Sequence, residues 1–187
     1  MSHNITAKIR CSMSDLESEV CQEMFRELGW VFMKGGTYTG YRGQGNAAVQ
    51  ADVRIAVPAD QAGSYGEDLS PEDAKTYGLK GGYKVIALKR GKAEPAIGKN
   101  GKPEVGPDGK PKVHEAIEIT ADDYQLPKIQ QKINAIIAGA KTVHKIQRQI
   151  GVLKAGGNEV NVNIFQIKKQ IANSIKTMAP VKISNQF

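Results

Sequence analysis

The chain has 187 residues, 40% of them hydrophobic and 24% charged, which is the composition of a soluble protein with one domain, or one domain and an appendage. This composition excludes a coiled coil, a collagen-like chain and a fully disordered tail. The formal net charge is +7, and the basic residues are concentrated in the second half of the chain.

The first predicted elements are a strand at 4–11 and a helix at 14–28. Apolar and polar residues alternate along the strand, as they do when one face is buried. Ser14 and Glu17 have the spacing of a capping box, apolar residues then recur at helical spacing, and Gly29 is placed to end the helix. The outer face of this helix is acidic and is expected to be solvated.

The next segment predicts a β-rich region followed by a short helix. Strands at 30–33 and 37–41 would be joined by a glycine turn at 34–36. A third strand, 49–57, alternates apolar and polar residues and should have one wet face. Ser70 and Pro71 mark the start of a helix that should stop before Gly78.

A strand at 83–89 carries apolar residues on both sides, so we expect both of its faces to be covered, and a strand at 113–119 should pair with it. Between them lies a basic arm, residues 89–112, with four of the eight prolines and turn signals at 99–101 and 107–109. Because it has few apolar residues, this arm is expected to be either a mobile loop or a projecting hairpin. No internal repeat is predicted.

The C-terminal third predicts two helices. Thr120 and Asp123 mark a helix start, and Pro127 opens or kinks the helix, whose apolar stripe runs to Leu153 and should pack across the sheet. A short strand at 160–162 and a last helix ended by Pro180 would come next. The fold class is therefore α+β: an antiparallel or mixed sheet on two amphipathic helices, in a domain at 1–155 with the arm inserted at 89–112 and a C-terminal extension at 156–187.

The sequence contains no recognisable catalytic or metal-binding pattern, and we expect no enzyme activity and no cofactor. The three histidines have no partner at an interpretable spacing, and the common nucleotide, hydrolase and zinc-protease motifs are absent. Cys11 and Cys21 are expected to be reduced core thiols. Only tertiary structure can tell whether distant carboxylates such as Asp52 and Asp122 meet.

The location of the protein is predicted from two absences. No apolar run reaches the roughly 18 residues of a membrane span. The first residues also lack the pattern of a signal peptide. We therefore expect a cytoplasmic protein, of a cell or of an infected host cell, with no membrane partner.

The charge is strongly polarised along the chain. Residues 12–79 contain 11 acidic and 5 basic residues, a net −6, whereas residues 128–182 contain 10 basic residues and a single acidic one, a net +9. A basic half of this kind meets a polyanion, an acidic protein surface or an anionic membrane face, unless it is simply a solvated surface.

These observations predict a non-catalytic binding module for nucleic acid or another polyanion. The predicted contacts are the cations of the arm, with stacking by tyrosines on a nearby strand: Lys89, Arg90, Lys92, Lys99, Lys102, Lys110, Lys112, Tyr38, Tyr41 and Arg42. The basic C-terminal helices would add to this surface. The alternative is an accessory protein that acts through a protein partner or as a homo-oligomer.

Several short stretches carry a family resemblance. They are Met1-Ser2-His3, Asp15-Leu16, Leu28-Gly29, residues 40–44 (GYRGQ), Ala51-Asp52-Val53, Gly81-Gly82-Tyr83 and residues 118–122 (EITAD). In this order they resemble a domain-of-unknown-function family typified by a hypothetical plastid reading frame of the Ycf type, frequent in cyanobacteria and phages. The resemblance implies a small α+β domain in a phage or cyanobacterial setting and assigns no catalytic residue.

Overall fold

The computed structural model describes residues 3–40 and 48–179. The strands are β1 (Asn4–Ile9), β2 (Val31–Tyr38), β3 (Val49–Pro58), β4 (Glu67–Asp68), β5 (Tyr83–Arg90), β6 (Glu94–Pro95), β7 (Val113–His114) and β8 (Ile117–Asp122). The helices are α1 (Met13–Glu17), α2 (Glu19–Glu27), α3 (Ala59–Ala62), α4 (Pro71–Thr76), α5 (Leu126–Ala155) and α6 (Ile164–Lys176).

Within these ranges the fold is α+β, as predicted, and every strand pair is antiparallel. The main sheet has the order β1-β8-β5-β3-β2. The short strand β4 pairs with residues 84–85 at the beginning of β5, and β8 pairs with residues 87–90 of the same strand. The helices α1, α2 and α5 pack their apolar faces on one side of this sheet, around Met24, Phe25, Trp30 and Ile133. A smaller apolar cluster under α4 covers the other side, so both faces of β5 are buried as predicted.

The predicted helix at 14–28 is two helices with a break at Ser18. The capping box uses Ser12 and Asp15, not Ser14 and Glu17, so that part of the prediction is wrong. Ser18 has an extended backbone, and its side chain accepts a hydrogen bond from the Cys21 amide, which starts α2. A serine can cap a new helix wherever its hydroxyl reaches a free amide, and this competes with continuing the helix.

The predicted glycine turn at 34–36 is also wrong, because β2 runs through it without interruption. A Cβ built on Gly35 would lie 2.6 Å from the Ala51 carbonyl oxygen, so the glycine allows β2 to approach β3 closely. Beyond the glycines the β2–β3 hairpin folds back over the sheet. Tyr38 pairs with Val49 near the end of the hairpin, yet it belongs to the same buried apolar cluster as Val85 of β5. Its hydroxyl lies 3.5 Å from Asn4 Oδ1 of β1, at the other edge of the sheet.

Two boundaries near residue 120 differ from the prediction. The expected strand at 113–119 is divided between β7, which pairs with β6, and β8, which pairs with β5 and β1. Thr120 does not start a helix. It lies in β8 opposite Thr6 and Ala87, and α5 begins at Leu126 with Pro127 in its first turn. Pairing on both sides of β8 therefore overrides the local helix-start signal.

The long helix α5 packs on the molecule only as far as Val143. Its apolar stripe is buried as far as Val143, whereas Ile146 and Ile150 are half-buried and Val152 is 73% exposed. The expectation that the stripe packs all the way to Leu153 is wrong, because the sheet is shorter than the helix. We call residues 141–155 the distal half of α5.

The segment after α5 returns to the body of the molecule. The expected strand at 160–162 is not formed, and α6 starts from Asn163, whose side chain accepts a hydrogen bond from the Gln166 amide. Helix α6 packs on α2 and α5 and buries Ile175 in the main core. The predicted stop at Pro180 lies outside the described residues. None of the helices found in 3–40 and 48–179 is both long and apolar enough to cross a membrane.

Candidate nucleic-acid interface

The basic arm leaves the sheet at one end of β5, which we call the arm end. Arg90 at the end of β5 lies opposite Ile117 of β8, and Ile117 lies opposite Ile9 of β1. An exposed ion pair between Lys8 Nζ and Glu94, 2.8 Å apart, joins the base of the arm to β1. Strands β1, β8 and β5 therefore hold the base of the arm.

The arm is an ordered hairpin with three branches, which we call the three-way hairpin. Of the two predicted alternatives, a mobile loop or a projecting hairpin, the structure has the hairpin. The Ala96 amide donates to the Lys112 carbonyl (2.8 Å), the Lys112 amide donates to the Glu104 carbonyl (2.8 Å), and the Glu104 amide donates to the Ala96 carbonyl (2.7 Å). These bonds close a ring. Two loops, 97–103 and 105–111, leave the ring, and β6 with β7 forms the third branch.

The two loops are a tandem repeat, so the prediction of no internal repeat was wrong. Residues 97–103 read IGKNGKP and residues 105–111 read VGPDGKP, a period of eight. Both turns have the same bonds: Gly101 and Gly109 donate to Gly98 and Gly106, and the Lys102 and Lys110 amides donate to Asn100 Oδ1 and Asp108 Oδ1. Gly101 and Gly109 have φ of 73° and 74°, the left-handed conformation that such turns require.

All seven predicted cations of the arm are exposed, but they are not equivalent. Lys112 lies 3.6 Å from Glu104 in an ion pair, and Lys89 lies opposite Glu118 in the sheet. Four further lysines of the arm form no ion pair within the part of the chain that the structure describes: Lys92, Lys99, Lys102 and Lys110. Three of these four lie on the repeated loops.

Arg90 has a different environment from the loop lysines. It lines a cleft of about 360 Å³ between α1 and the base of the arm, together with Glu17 and Glu115. Two carboxylates at this position oppose the binding of a phosphate. The tips of the arm are therefore a better place for a polyanion than its base.

The distal half of α5 carries a second set of cations at the arm end. Gln130 Nε2 of α5 donates a hydrogen bond to the carbonyl of Lys8 (3.4 Å), one residue before the arm end of β1. From there the helix continues outward with exposed basic side chains and no acidic residue: Lys141, His144, Lys145, Arg148 and Lys154. Four of these, with Gln149, line a shallow groove of about 380 Å³.

Tyr38, one of the predicted aromatic contacts, is not part of this surface. Tyr38 is completely buried, and burial raises the pKa of its hydroxyl, so the expectation that it stacks on bases is wrong. The reason is the folding back of the β2–β3 hairpin, which turns Tyr38 onto the sheet. Tyr41 and Arg42 lie outside the described residues.

The residues considered for catalysis do not converge. Asp52 accepts a hydrogen bond from the Arg90 amide at the arm end (2.7 Å), whereas Asp122 lies opposite Asn4, five residues further along β8 from Ile117. Cys11 and Cys21 are free and buried in the main core. Among the residues of 3–40 and 48–179, no group of three His, Cys, Asp or Glu side chains is arranged to hold a metal ion.

Comparisons with protein-family models, curated proteins and solved structures found no match to this chain. The similarity of its short motifs to the Ycf-type family therefore stays a prediction. The functional assignment depends on the geometry described above.

Proposed function

We propose that the protein is a non-catalytic module that binds nucleic acid with the tips of the arm and the distal half of α5. The observation that carries this proposal is that two basic elements, distant in sequence, project from the same end of the sheet. Their exposed lysines have no ion-pair partner in the described part of the chain, so no carboxylate has to be displaced when a phosphate binds.

The ordered arm strengthens the proposal. Because the two loops share one backbone structure, Lys102 and Lys110 follow the same type of turn and leave it in equivalent positions. A phosphate backbone is itself a repeating array of charges, and lysines contact it as point charges without reading bases. The proposed binding is therefore independent of sequence.

Affinity for duplex DNA and for single-stranded RNA, measured by fluorescence anisotropy over a salt series, tests the proposal. With about 5 phosphate contacts, log affinity should fall against log salt with a slope of about −4 to −5 for duplex DNA. An arm variant, Lys99→Gln with Lys102→Gln and Lys110→Gln, should flatten the slope by about 3. A helix variant, Lys145→Gln with Arg148→Gln, should flatten it by about 2.

The matched control is Lys75→Gln with Lys80→Gln, which removes the same charge as the helix variant. Both lysines are exposed, on α4 and just after it, where α4 covers the opposite face of the sheet. The control should keep the wild-type slope. If the wild type binds neither nucleic acid at low salt, or if the variants and the control have equal slopes, the proposal is wrong.

A second candidate function is binding of a protein partner, and one observation favours it. Ile97, Val105 and Val113 each follow one of the three residues of the hydrogen-bonded ring, and all three are at least half exposed. Apolar side chains grouped on an exposed surface favour contact with another protein. Light scattering over a range of salt and protein concentrations tests self-association through it, which a constant monomer mass would contradict.

A further inference from the structure

A polar cluster lies where the folded-back hairpin meets the ends of β1 and β8 that are remote from the arm. We call it the far-end cluster, and it consists of Asn4, Tyr38, Glu67, Asp122, Asp123 and Gln125. The Tyr38 hydroxyl lies 3.5 Å from Asn4 Oδ1, and Asn4 lies directly opposite Asp122 in the sheet. Glu67 accepts hydrogen bonds from the Thr39 and Gly40 amides, which ties the hairpin to this place.

The far-end cluster contains polar atoms that are buried without a partner. They are Asn4 Nδ2, Asp122 Oδ2, Asp123 Oδ1 and Gln125 Oε1, four of the five such side-chain atoms found in the described residues. Asp122 is 0% exposed and Gln125 is 1% exposed. Leaving a buried polar atom unpaired is unfavourable, so a concentration of them at one place indicates that a bound group supplies the missing bonds.

The unpaired atoms favour a partner that donates hydrogen bonds and carries positive charge. Three of the four unpaired atoms are acceptors, and Asp122, Asp123 and Glu67 form no ion pair within the described ranges. Burial, and after it the charges of Glu67 and Asp122, raise the pKa of the Tyr38 hydroxyl, which therefore stays neutral. The carboxylates are thus not balanced by a cation of the described chain.

The rim of the far-end cluster is aromatic. Tyr65 and Tyr124 stack with their ring centroids 4.8 Å apart, and they are 46% and 64% exposed. The Tyr124 amide donates to Asp122 Oδ1 (3.1 Å), and Gln125 Nε2 donates to the Tyr65 carbonyl, so both rings are attached to the cluster. Tyrosine rings beside carboxylates favour an organic cation, which binds to the ring faces and to the charge.

We propose that the far-end cluster binds the ammonium or guanidinium group of a small organic cation, with Asp122 and Gln125 accepting its N–H bonds and the tyrosine pair contacting its carbon chain. An organic cation fits better than a metal ion. No group of three acidic, His or Cys side chains in the described residues surrounds one point, as a protein metal site usually requires. This inference is independent of the nucleic-acid proposal, since the cluster lies away from the arm.

Titration of the full-length protein with agmatine and with putrescine, followed by the amide NMR signals of Gly40, Glu67 and Tyr124, tests the inference. We expect the chemical shifts to saturate at a ligand concentration of about 10 mM, which is ten times a Kd of about 1 mM. Tetramethylammonium, which has the charge but no N–H donor, and MgCl2 at matched ionic strength are the control titrations. Neither should produce the same saturable shifts.

The Asp122→Asn variant should bind the cation at least tenfold more weakly than the wild type. The control variant Glu159→Gln, which removes an exposed charge after α5, should bind it with the wild-type affinity. If Asp122→Asn does not fold, Tyr124→Ala decides, with the equally exposed Phe165→Ala as its control. Tyr124→Ala should weaken binding and the control should not. No saturable shift in the wild type, an equal response to tetramethylammonium or to Mg²⁺, or full binding by Tyr124→Ala would overturn the inference.

Discussion

At the scale of single residues, Gly35 shows how one missing Cβ determines the shape of the sheet. The close approach of β2 to β3 places the Ala51 carbonyl where an alanine side chain would be, at 2.6 Å. The atom in the way belongs to the backbone, so a side-chain rotation cannot relieve the clash. The close pairing of β2 with β3 at this point depends on the glycine.

We therefore expect Gly35→Ala to lower the free energy of unfolding by about 2–3 kcal/mol, the cost of overpacking at a rigid position. Urea denaturation measures it. The matched control is Gly151→Ala in the distal half of α5, where the new Cβ would meet nothing within 4 Å. It should be neutral or stabilising by up to about 1 kcal/mol, because alanine favours a helix. Equal effects of the two variants would contradict this explanation.

At the scale of elements, an ion pair attaches the short helix α4 to the sheet. Arg54 of β3 forms two hydrogen bonds with Asp73, of 2.7 and 3.1 Å, and both side chains are mostly buried. The bond from Arg54 lowers the pKa of Asp73 below its ordinary value, with a contribution from the Ser70 hydroxyl at the helix N-cap. A helix of six residues is not stable alone, so this contact helps to hold it in place.

The lowered pKa gives a prediction with a definite sign. The stabilisation is complete above the pKa of Asp73 in the unfolded chain and is lost as the pH falls through its lower pKa in the folded protein. Asp73→Asn should therefore cost about 1 kcal/mol at neutral pH, and the cost should shrink below about pH 4. Urea denaturation at several pH values measures it. Glu72→Gln, an exposed change on the same helix, should show no such dependence.

At the scale of the whole molecule, the arm is an ordered unit that contributes little to the core. Of residues 92–115 only Ala96 is buried, and Ala96 is held by the ring of backbone bonds inside the arm. The main core is built from the sheet and from α1, α2, α5 and α6. The arm therefore adds exposed surface to a body whose core it does not form.

Deletion of residues 93–111 should leave the free energy of unfolding of the body within about 1 kcal/mol of the wild type, as for surface changes away from the core. Thermal unfolding followed by circular dichroism measures this effect. Cooperative unfolding at an unchanged midpoint would confirm that the arm is independent. A loss of cooperativity would show that the three-way hairpin stabilises β5 and β8, whose ends it joins.

The sequence by itself determined the elements whose burial pattern is local. The local patterns predicted these elements and the α+β class correctly. They are the alternation in β3, the apolar residues on both sides of β5, the N-cap and proline of α4, and the stripe of α5 up to Val143. Periodicity reports which face of a segment is buried, and this does not require knowing the partner. The exposure of the arm lysines was also predictable, because the arm contains few apolar residues.

Only the tertiary structure decided the features that depend on a distant partner. Gly35 lies in a local signal for a turn, but the pairing of β2 with β3 places it in a strand. Thr120 lies in a local signal for a helix start, but the pairing of β8 with β1 and β5 places it in a strand as well. Tyr38 is buried because the hairpin crosses the sheet, and Asn4, Glu67 and Asp122 meet although more than 50 positions separate each from the next. Contacts between such distant residues leave no periodic pattern, since each partner looks locally like an ordinary polar position.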